Sequence, residues 1–444
     1  MADGAGSMNF HEIESRTIFV GMFLALILIV AMSVQSRFDS HPDEIWHANA
    51  GQYYTGNWLP PKVCQRDTLE SYSRYGMSYL NAPDVVYFFS GKFNAIIGHF
   101  GVGEANSFLP FRYFNIALFL VLTMLSLRAK ASLLFLPLLL TPQVWYIFSY
   151  FNGDALPLFL CFLIAYQVLA EGSRFNAFIR DPRGHWEGGL LLGVFVGLLC
   201  VSKLNYVTFL VFLSLYFVFE MVFYERNRNR SYLKCVLFVV VVAGAIFSFA
   251  QGVELIAHGF NKRAQVLECA EQTAKEGFRP SDHAAGKGFA WSYLRSKGVK
   301  YGDLFSKARW GELSFRSFAG LYGYMSIVGP SAYYRMMKVL YLLLLLLLLY
   351  SGFRNRDPSE MCLTGLVILM SGLTVLASSY HSWVSDFQAQ GRYLFPVLPM
   401  YSFVLYKLID VLPKSALAGL AFFLFAGSVY SFIWVGLLRI PATM

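Results

Sequence analysis

Charged residues are scarce in this 444-residue chain: Asp, Glu, Lys and Arg together make up only 14% of it. With 56% hydrophobic residues and a positive mean hydropathy, this composition excludes an ordinary soluble domain. The chain also lacks a glycine-rich phosphate loop, a Rossmann pattern and internal repeats. We therefore expect no nucleotide-binding domain and no nucleotide-sugar substrate.

The net charge of the chain is +9. A positive net charge is found both in nucleic-acid-binding proteins and in membrane proteins with basic cytoplasmic loops. No block of Lys and Arg is interleaved with aromatic residues, so nucleic acid is not an expected partner. With the N-terminus inside, every short cytoplasmic loop is basic, as the positive-inside rule requires. These loops carry Arg128 and Lys130, then Arg174, Arg180 and Arg183, then Arg226, Arg228, Arg230 and Lys234, then Arg354 and Arg356, and finally Lys414.

Apolar segments of about 20 residues predict an all-α polytopic membrane protein with about 11 transmembrane helices. The predicted spans are 17–36, 108–127, 131–150, 154–171, 187–202, 204–224, 235–257, 334–353, 361–380, 393–411 and 416–438. Segment 83–100 is interrupted by Lys92, Asn94 and His99, so we interpret it as an interfacial or re-entrant helix. The alternative, a twelfth span, would invert the basic loops that follow.

The spans divide the chain into four parts. Residues 1–16 form a cytoplasmic N-terminus, in which 1–7, ahead of a second methionine, are interpreted as added sequence. Residues 17–257 form an N-terminal transmembrane module that includes a large periplasmic loop, 37–107. A second periplasmic loop, 258–333, precedes the C-terminal transmembrane helices of 334–444. No cleavage site follows the first span, which should therefore remain as an anchor.

The predicted topology brings every chemically unusual element to one face of the membrane. These elements are the loop 37–107, the Asn152-Gly153-Asp154 turn, the Ser202-Lys203 turn, the loop 258–333 and the short loop 381–392. Polar elements converging on one face, with basic anchors on the other, predict a one-sided active site.

Several short motifs of the chain occur in a characteristic order. They are Pro42-Asp43-Glu44, Asn152-Gly153-Asp154-Ala155-Leu156, Ser202-Lys203-Leu204, the segment from Ser314 to Gly323, and Gln390-Gly391-Arg392-Tyr393-Leu394-Phe395-Pro396. In these motifs, over about residues 15–410, the chain resembles a bacterial family of predicted membrane proteins in the GT-C glycosyltransferase clan. The chain departs from that pattern at Ile45-Trp46, where many members have a small residue or proline, so the acceptor preference does not transfer.

The resemblance implies a GT-C-like bundle and an enzyme that takes a sugar from a polyprenyl-phosphate carrier. The sugar would pass to a lipid-linked or cell-surface glycan, such as an O-antigen or a wall polysaccharide, on the periplasmic side of the bacterial inner membrane. Membrane lipids, the sugar donor and the glycan acceptor are then the expected partners. Two alternatives from other classes are a flippase or transporter of lipid-linked glycans and a non-catalytic subunit of glycan assembly.

Inverting sugar transfer needs a carboxylate that takes the proton of the acceptor hydroxyl. We assign this role to Asp43, because Pro42 suits the first position of a helix and would place Asp43 in its first turn. Glu44 is the alternative base, or a ligand of an acceptor hydroxyl. Acidic residues that only cap a helix are a third interpretation.

The leaving lipid phosphate requires cationic side chains at the membrane surface. The candidates are Arg392, Lys203, His381 and Arg316. Long basic side chains that anchor the protein at the interface are the alternative interpretation. Further candidates for substrate binding are His47, Asn152, Asp154, Gln390 and Tyr393. Asp154 either orients a basic side chain or caps the helix that follows it.

No metal or other cofactor is required by this scheme. His41 and His47 are six positions apart and do not match the His-Glu-x-x-His spacing of zinc proteases. A divalent cation held by Asp43 and Asp154 remains an alternative, because oxygen ligands suit magnesium or calcium. Cys64 and Cys269 are the cysteines of the two outer loops, and we expect a disulfide between them if the compartment is oxidising.

Overall fold

The computed structural model describes residues 10–100, 108–128, 131–224, 230–285 and 287–442, with side chains described from Ser15 onward. Most of the predicted N-terminal segment and part of loop 37–107 lie outside these residues, as do Lys130, Arg226 and Arg228. The described chain is almost entirely helical, which confirms the predicted all-α class. Its one paired sheet has two short antiparallel strands, β1 (Leu321–Tyr322) and β2 (Ile327–Val328).

Eighteen α-helices follow one another in the described chain. They are α1 Phe10–Gln35, α2 Glu44–Gly56, α3 Val85–Gly98, α4 Leu109–Ser126, α5 Pro142–Ser149, α6 Ala155–Leu169, α7 Arg174–Arg180, α8 Trp186–Cys200, α9 Val207–Phe223, α10 Arg230–His258, α11 Lys262–Thr273, α12 Pro280–Ala284, α13 Tyr301–Ser306, α14 Trp310–Phe318, α15 Ser331–Arg354, α16 Pro358–Val384, α17 Val397–Lys407 and α18 Lys414–Tyr430. Short 3₁₀ turns lie at Arg66–Ser71, Tyr79–Asn81, Ser132–Leu139, Leu204–Tyr206, Gly259–Asn261 and Gly391–Leu394, and a π-helical turn, Ser431–Leu437, extends α18.

Within the described residues, eight helical stretches are long and apolar enough to cross a membrane, or nine if a bent pair counts as one span. The protein is therefore polytopic, as the composition indicated. The stretches are Ser15–Gln35, Leu109–Ser126, Ala155–Arg180, Leu204–Phe223, Arg230–Thr273, Ser331–Arg354, Pro358–Val384 and Lys414–Leu437. The count is lower than the predicted eleven because three predicted spans are bent or short.

The predicted span 131–150 is the bent pair. The 3₁₀ turn Ser132–Leu139 and α5 meet at 88°. Pro142 begins α5, and the Thr141 hydroxyl accepts the N–H of Gln143 at 3.3 Å. Proline has no N–H and disfavours a helical conformation in the residue before it, so one straight helix cannot pass through this point.

Two other predicted spans are short helices. Segment 187–202 contains α8, which has 15 residues and a length of about 22 Å. Segment 393–411 contains α17, which has 11 residues and follows the turn Gly391–Leu394. Neither reaches the ~30 Å of a hydrocarbon core. Helix α3, with 14 residues, is also too short, in agreement with the interpretation of 83–100 as a non-spanning helix.

Glycines let α8 pack closely against α10. A Cβ on Gly193 would lie 2.6 Å from the Cβ of Val242, and one on Gly197 would lie 2.9 Å from Ile246. Small residues at a four-residue spacing allow two helix backbones to approach in this way. Packing on α8 fixes the position of α10, which forms one wall of the cavity described below.

Two long segments, 37–100 and 258–330, cover one end of the helix bundle, which we call the polar end. The Tyr324 hydroxyl, from the second segment, donates to the Asp39 carboxylate, from the first, at 2.7 Å. Ser36, at the end of α1, pairs in an isolated antiparallel bridge with Ala442. The C-terminal residues therefore reach the same end as the first connection.

The two segments dock directly onto each other. A disulfide joins Cys64 to Cys269, with a Cα–Cα distance of 5.8 Å. Near it, the Lys275 N–H donates to the Arg74 carbonyl at 3.0 Å. Gly76 has a φ of +67°, and a Cβ there would lie 2.8 Å from the backbone of α11. Only glycine fits this left-handed, crowded position without strain.

A buried ion pair ties the start of α2 to α4. The fully buried Arg112 donates from Nε to Glu44 Oε1 at 2.6 Å and from Nη2 to Oε2 at 2.7 Å. Its Nη1 donates to the carbonyls of Ser33 and Ser36 at the end of α1. One guanidinium therefore joins α1, α2 and α4.

Loss of Arg112 should destabilise the whole protein. In an Arg112→Met variant the Glu44 carboxylate would stay buried without its cation, at a cost of about 3–5 kcal/mol. We expect a clear fall in the thermal unfolding temperature in detergent. The control is Arg263→Met, which removes an exposed arginine of α11. Equal unfolding temperatures for the two variants would contradict a structural role for the pair.

The disulfide makes a second stability prediction. Cys64→Ser should lower the free energy of unfolding by about 2–5 kcal/mol, and Cys64→Ser/Cys269→Ser should do no more, because either change removes the same crosslink. Cys362→Ser, which alters an exposed free thiol, is the control. Alkylation without reductant, followed by mass spectrometry, should leave Cys64 and Cys269 unmodified. Labelling of both would show that the bond is absent.

Candidate functional site

A cavity of about 800 Å³ lies at the polar end and extends between the helices. Its apolar walls come from α9, α10 and α16 and include Val207, Phe247 and Ala377. Its polar part is lined by His47 of α2, Asp84 ahead of α3, Lys203 of the α8–α9 connection and His381 of α16. The cavity thus has a charged head region and a largely apolar remainder.

Lys203 and Asp154 form a tight ion pair at the polar part of this cavity. The ammonium donates to both carboxylate oxygens of Asp154, at 2.9 and 2.8 Å. Asp154 is fully buried, whereas the Lys203 side chain is about 24% exposed. Burial strengthens the attraction, because the local dielectric is low. Lys203 also lies 5.3 Å from the centre of the Tyr393 ring, a cation–π distance.

Arg392 completes a group of two cations around one carboxylate. Its Nε lies 3.6 Å from Asp154 Oδ2, which is too long for a hydrogen bond. Among the described residues this buried Nε has no hydrogen-bond partner. A donor in that state is suited to a ligand, because an unsatisfied buried N–H is costly.

Asn152 and Gly391 fix the backbone segments that carry Asp154 and Arg392. Asn152 accepts the N–H of Asp154 at 2.9 Å and donates to the carbonyls of Ile147 and Tyr150, so its role in the structure is to close the turn. A Cβ on Gly391 would lie 2.2 Å from a backbone nitrogen of α14. Glycine therefore lets the segment carrying Arg392 pack directly against the end of α14.

Asp43 is not in the first turn of a helix, contrary to the prediction. Helix α2 begins at Glu44, and Asp43 precedes it with φ 60° and ψ 12°, in the left-handed region. Its side chain makes no capping hydrogen bond, which argues against a purely capping role. Asp43 Oδ2 instead accepts the hydroxyl of Tyr79 at 3.3 Å. Since Tyr79 lines the cavity, Asp43 lies next to it.

Glu44 has a different environment from its neighbour. Besides the Arg112 pair, its oxygens accept the N–H groups of Asp39 and Phe151 at 3.2 and 3.3 Å. Every bond holds the carboxylate in the protein interior, and Glu44 does not line the cavity. This geometry makes Glu44 a structural anchor rather than an available base.

His47 and His41 are buried among tyrosines. His47 Nδ1 lies 2.7 Å from the Tyr87 hydroxyl, and its ring stacks on Tyr79 at 3.9 Å between centroids. His41 lies 2.9 Å from the Tyr146 hydroxyl and 2.7 Å from that of Ser36. Burial lowers the pKa of both imidazoles well below the ordinary value, and for His47 the charges of Lys203 and Arg392 lower it further.

Of the remaining predicted site residues, two line the cavity and two do not. His381 and Tyr393 line the cavity, and the Tyr393 hydroxyl donates to Gln388, which also lines it. Gln390 precedes the turn that carries Arg392, and its carbonyl accepts the N–H of Tyr393 at 3.3 Å. Arg316 is not brought to the cavity: it pairs with Glu312 at 2.6 Å on the surface of α14.

Among the residues that the structure describes, no three His, Cys, Asp or Glu side chains are arranged to hold a metal ion.

Four residues of this region were not among the predicted site residues: Tyr79, Asp84, Tyr87 and Arg112. Arg112 had a readable signal, since a charge within an apolar span usually has a partner or a function. Pro83-Asp84 ahead of an apolar segment is a helix-start signal and was also available. Tyr79 and Tyr87 had no such signal in the sequence. Tyrosine is common throughout the chain, and only the fold brings these two residues to His47.

The buried histidines predict a loss of stability in mild acid. Their pKa values are lowered in the folded protein, so the unfolded chain binds protons first as the pH falls below about 6.5. The free energy of unfolding should then fall by up to about 1.4 kcal/mol per pH unit for each histidine. Unfolding temperatures of wild type, His41→Gln and His47→Gln between pH 5 and 7.5 measure this slope.

The control for that series is His185→Gln, which changes an exposed histidine. The slope should be smaller in the two buried variants and unchanged in the control. Identical slopes in all four proteins would contradict the neutral, buried state of His41 and His47.

The crystal structure of ArnT from Cupriavidus metallidurans bound to undecaprenyl phosphate is similar at 14% sequence identity and a TM-score of 0.42. The match covers 91% of this chain, which spans only 62% of the length of that one. No curated protein matches the sequence. A family model described as "Predicted membrane protein (DUF2142)" matches residues 65–401, so the chain belongs to the DUF2142 family of predicted membrane proteins.

Proposed function

We propose that this protein is an integral-membrane glycosyltransferase that uses a sugar linked to polyprenyl phosphate. The observation that carries the proposal is the shape and chemistry of the cavity, with Lys203 at its polar part and apolar walls from α9, α10 and α16. A polyprenyl-phosphate sugar has the same division, a charged head and a long hydrocarbon tail. The GT-C resemblance of the sequence motifs supports the same donor class.

The cationic pair is suited to the donor phosphate. Breaking the bond between sugar and phosphate leaves more negative charge on the phosphate oxygens, and fixed cations stabilise that charge. Lys203 lines the cavity, and Arg392 shares the Asp154 carboxylate with it. In this scheme Asp154 is a positioning residue, because its carboxylate holds both cations before substrate arrives.

Asp43 is the proposed base. It takes the proton of an acceptor hydroxyl while the hydroxyl oxygen forms a bond to the anomeric carbon. The bond from that carbon to the phosphate oxygen breaks, and its electron pair leaves with polyprenyl phosphate, so the configuration inverts. Asp43 has a half-buried carboxylate with one hydrogen bond from Tyr79, whereas Glu44 is held by Arg112. No cofactor takes part in this step.

In this proposal the protein lies in the bacterial inner membrane, with the polar end facing the periplasm. The acceptor is a lipid-linked or surface glycan, as the motif resemblance implies. A flippase or transporter of lipid-linked glycans is the competing function, because the same amphiphilic cavity would suit a translocated lipid. A non-catalytic assembly subunit is the third, and it would tolerate the loss of Asp43.

Sugar transfer by detergent-purified protein is the test. A lipid extract from the native host supplies donors and acceptors, and mass spectrometry follows both. Asp43→Asn should lower the rate about 100- to 10,000-fold, the usual range for a lost general base, without altering the unfolding temperature. Asp410→Asn, an exposed substitution at the other end of the bundle, is the control.

Two results would contradict the proposal. If wild type consumed no donor in the presence of competent acceptor, the transporter or assembly function would replace it. If Asp43→Asn kept full activity while a folded Glu44→Gln variant lost it, the base would be Glu44 and the structural assignment of that residue would be wrong.

A further inference from the structure

Asp84 is an acidic residue of the cavity wall to which the proposed transfer gives no role. It precedes α3, and its Oδ1 accepts the N–H of Val86 at 3.2 Å, which caps the helix. That bond uses one carboxylate oxygen. Within the described part of the chain, no hydrogen-bond donor reaches the other oxygen, Oδ2.

Oδ2 faces the same point of the cavity as two other polar side chains. A Cβ placed on Gly153, itself a lining residue, would lie 3.6 Å from Asp84 Oδ2, 3.2 Å from the Tyr87 hydroxyl and 3.7 Å from the His47 ring. Glycine keeps this space open. Three groups capable of hydrogen bonding therefore surround one small region at the polar part of the cavity.

Among the residues that the structure describes, Asp84 forms no ion pair. The charge of Lys203 acts on Asp84, but both of the short contacts that Lys203 makes go to Asp154. Burial raises the pKa of Asp84 to about 7, the Val86 N–H and Lys203 oppose this rise, and Asp154 adds to it. A partly desolvated carboxylate oxygen without a donor is suited to a ligand that brings a hydroxyl group.

We infer that Asp84 Oδ2 binds a hydroxyl group of the sugar carried by the donor lipid. This inference rests on the proposed function and adds a specificity-determining residue to it. The phosphate would lie at Lys203, the tail between α9, α10 and α16, and the sugar at the region bounded by Asp84, Tyr87 and His47. A site built to hydrogen-bond a hydroxyl rejects a sugar that lacks it, because the carboxylate would remain unpaired.

The test separates sugar recognition from phosphate recognition and from folding. Asp84→Asn removes the charge but keeps a side-chain oxygen for the cap of α3, since Asn is as good a capping residue as Asp. Its unfolding temperature should equal that of wild type. The matched control is Asp67→Asn, which changes an exposed carboxylate between α2 and α3.

Two lipids serve as probes: the donor that wild type consumes from the host extract, identified by its mass, and polyprenyl phosphate without sugar. Asp84→Asn should raise the KM for the donor about 10- to 100-fold, the usual effect of losing a hydrogen bond to a charged group. The Kd for sugar-free polyprenyl phosphate should stay unchanged, because Asp84→Asn leaves the proposed phosphate ligands, Lys203 and Arg392, in place.

The pH dependence is a second readout. In wild type the KM for the donor should fall as the pH rises through about 7, as Asp84 loses its proton. The groups facing it are Lys203, Asp154, Tyr87 and His47, and Asp84→Asn leaves all of them in place. The fall should therefore be absent in Asp84→Asn and present in Asp67→Asn.

An unchanged KM for the donor in Asp84→Asn would overturn the inference while leaving the proposed function intact. Equal weakening for donor and sugar-free lipid would also overturn it, because Asp84 would then act on the phosphate or on the shape of the cavity. No donor consumption by wild type would instead overturn the proposed function, and the inference with it.

Discussion

The buried ion pair between Glu44 and Arg112 is the contact on which the polar end depends. Arg112, on α4, donates hydrogen bonds to both carboxylate oxygens of Glu44 and to two carbonyls at the end of α1. Because Glu44 is the first residue of α2, this pair fixes where α2 begins and therefore where Asp43 lies. A charged pair this deep is costly to break, so the position of Asp43 is set by the interior of the bundle rather than by a surface loop.

The acidic residues around the cavity differ in the ion pairs and hydrogen bonds that their carboxylates make within the protein. Glu44 is paired with Arg112, and Asp154 is paired with Lys203 and lies near Arg392. Asp43 has one hydrogen bond from a tyrosine, and Asp84 uses one of its oxygens for a helix cap. Paired carboxylates are suited to holding a framework, whereas those with free oxygens are suited to binding substrate or moving a proton. This division is the physical basis for assigning different roles to residues of the same type.

Much of the architecture could be predicted from the sequence, because long uncharged runs have few alternatives to membrane-spanning helices. The turns carrying Lys203, Asp154 and Arg392 were predicted to share one face, and the structure brings these three together. The number of long spans was overestimated because Pro142 bends one segment and two others form short helices. The predicted start of α2, at Pro42, was two residues too early. Pro42 is a local signal for a helix start, whereas the helix begins at Glu44, which the distant Arg112 holds in place. Contacts made by residues far apart in the chain, such as the Tyr79 hydroxyl on Asp43, leave no local pattern to read.

In the proposed complex, a polyprenyl phosphate lies in the cavity with its head at Lys203 and its tail between α9, α10 and α16. Photocrosslinking can map this position: a polyprenyl phosphate with a diazirine in its tail is bound to purified protein, and the labelled residues are identified by mass spectrometry. We expect labels on the cavity faces of α9, α10 and α16, for example at Thr208, Phe247 and Ala377, and we expect unlabelled lipid to compete for them. Labels confined to lipid-exposed surfaces of other helices, without competition, would contradict this position of the lipid.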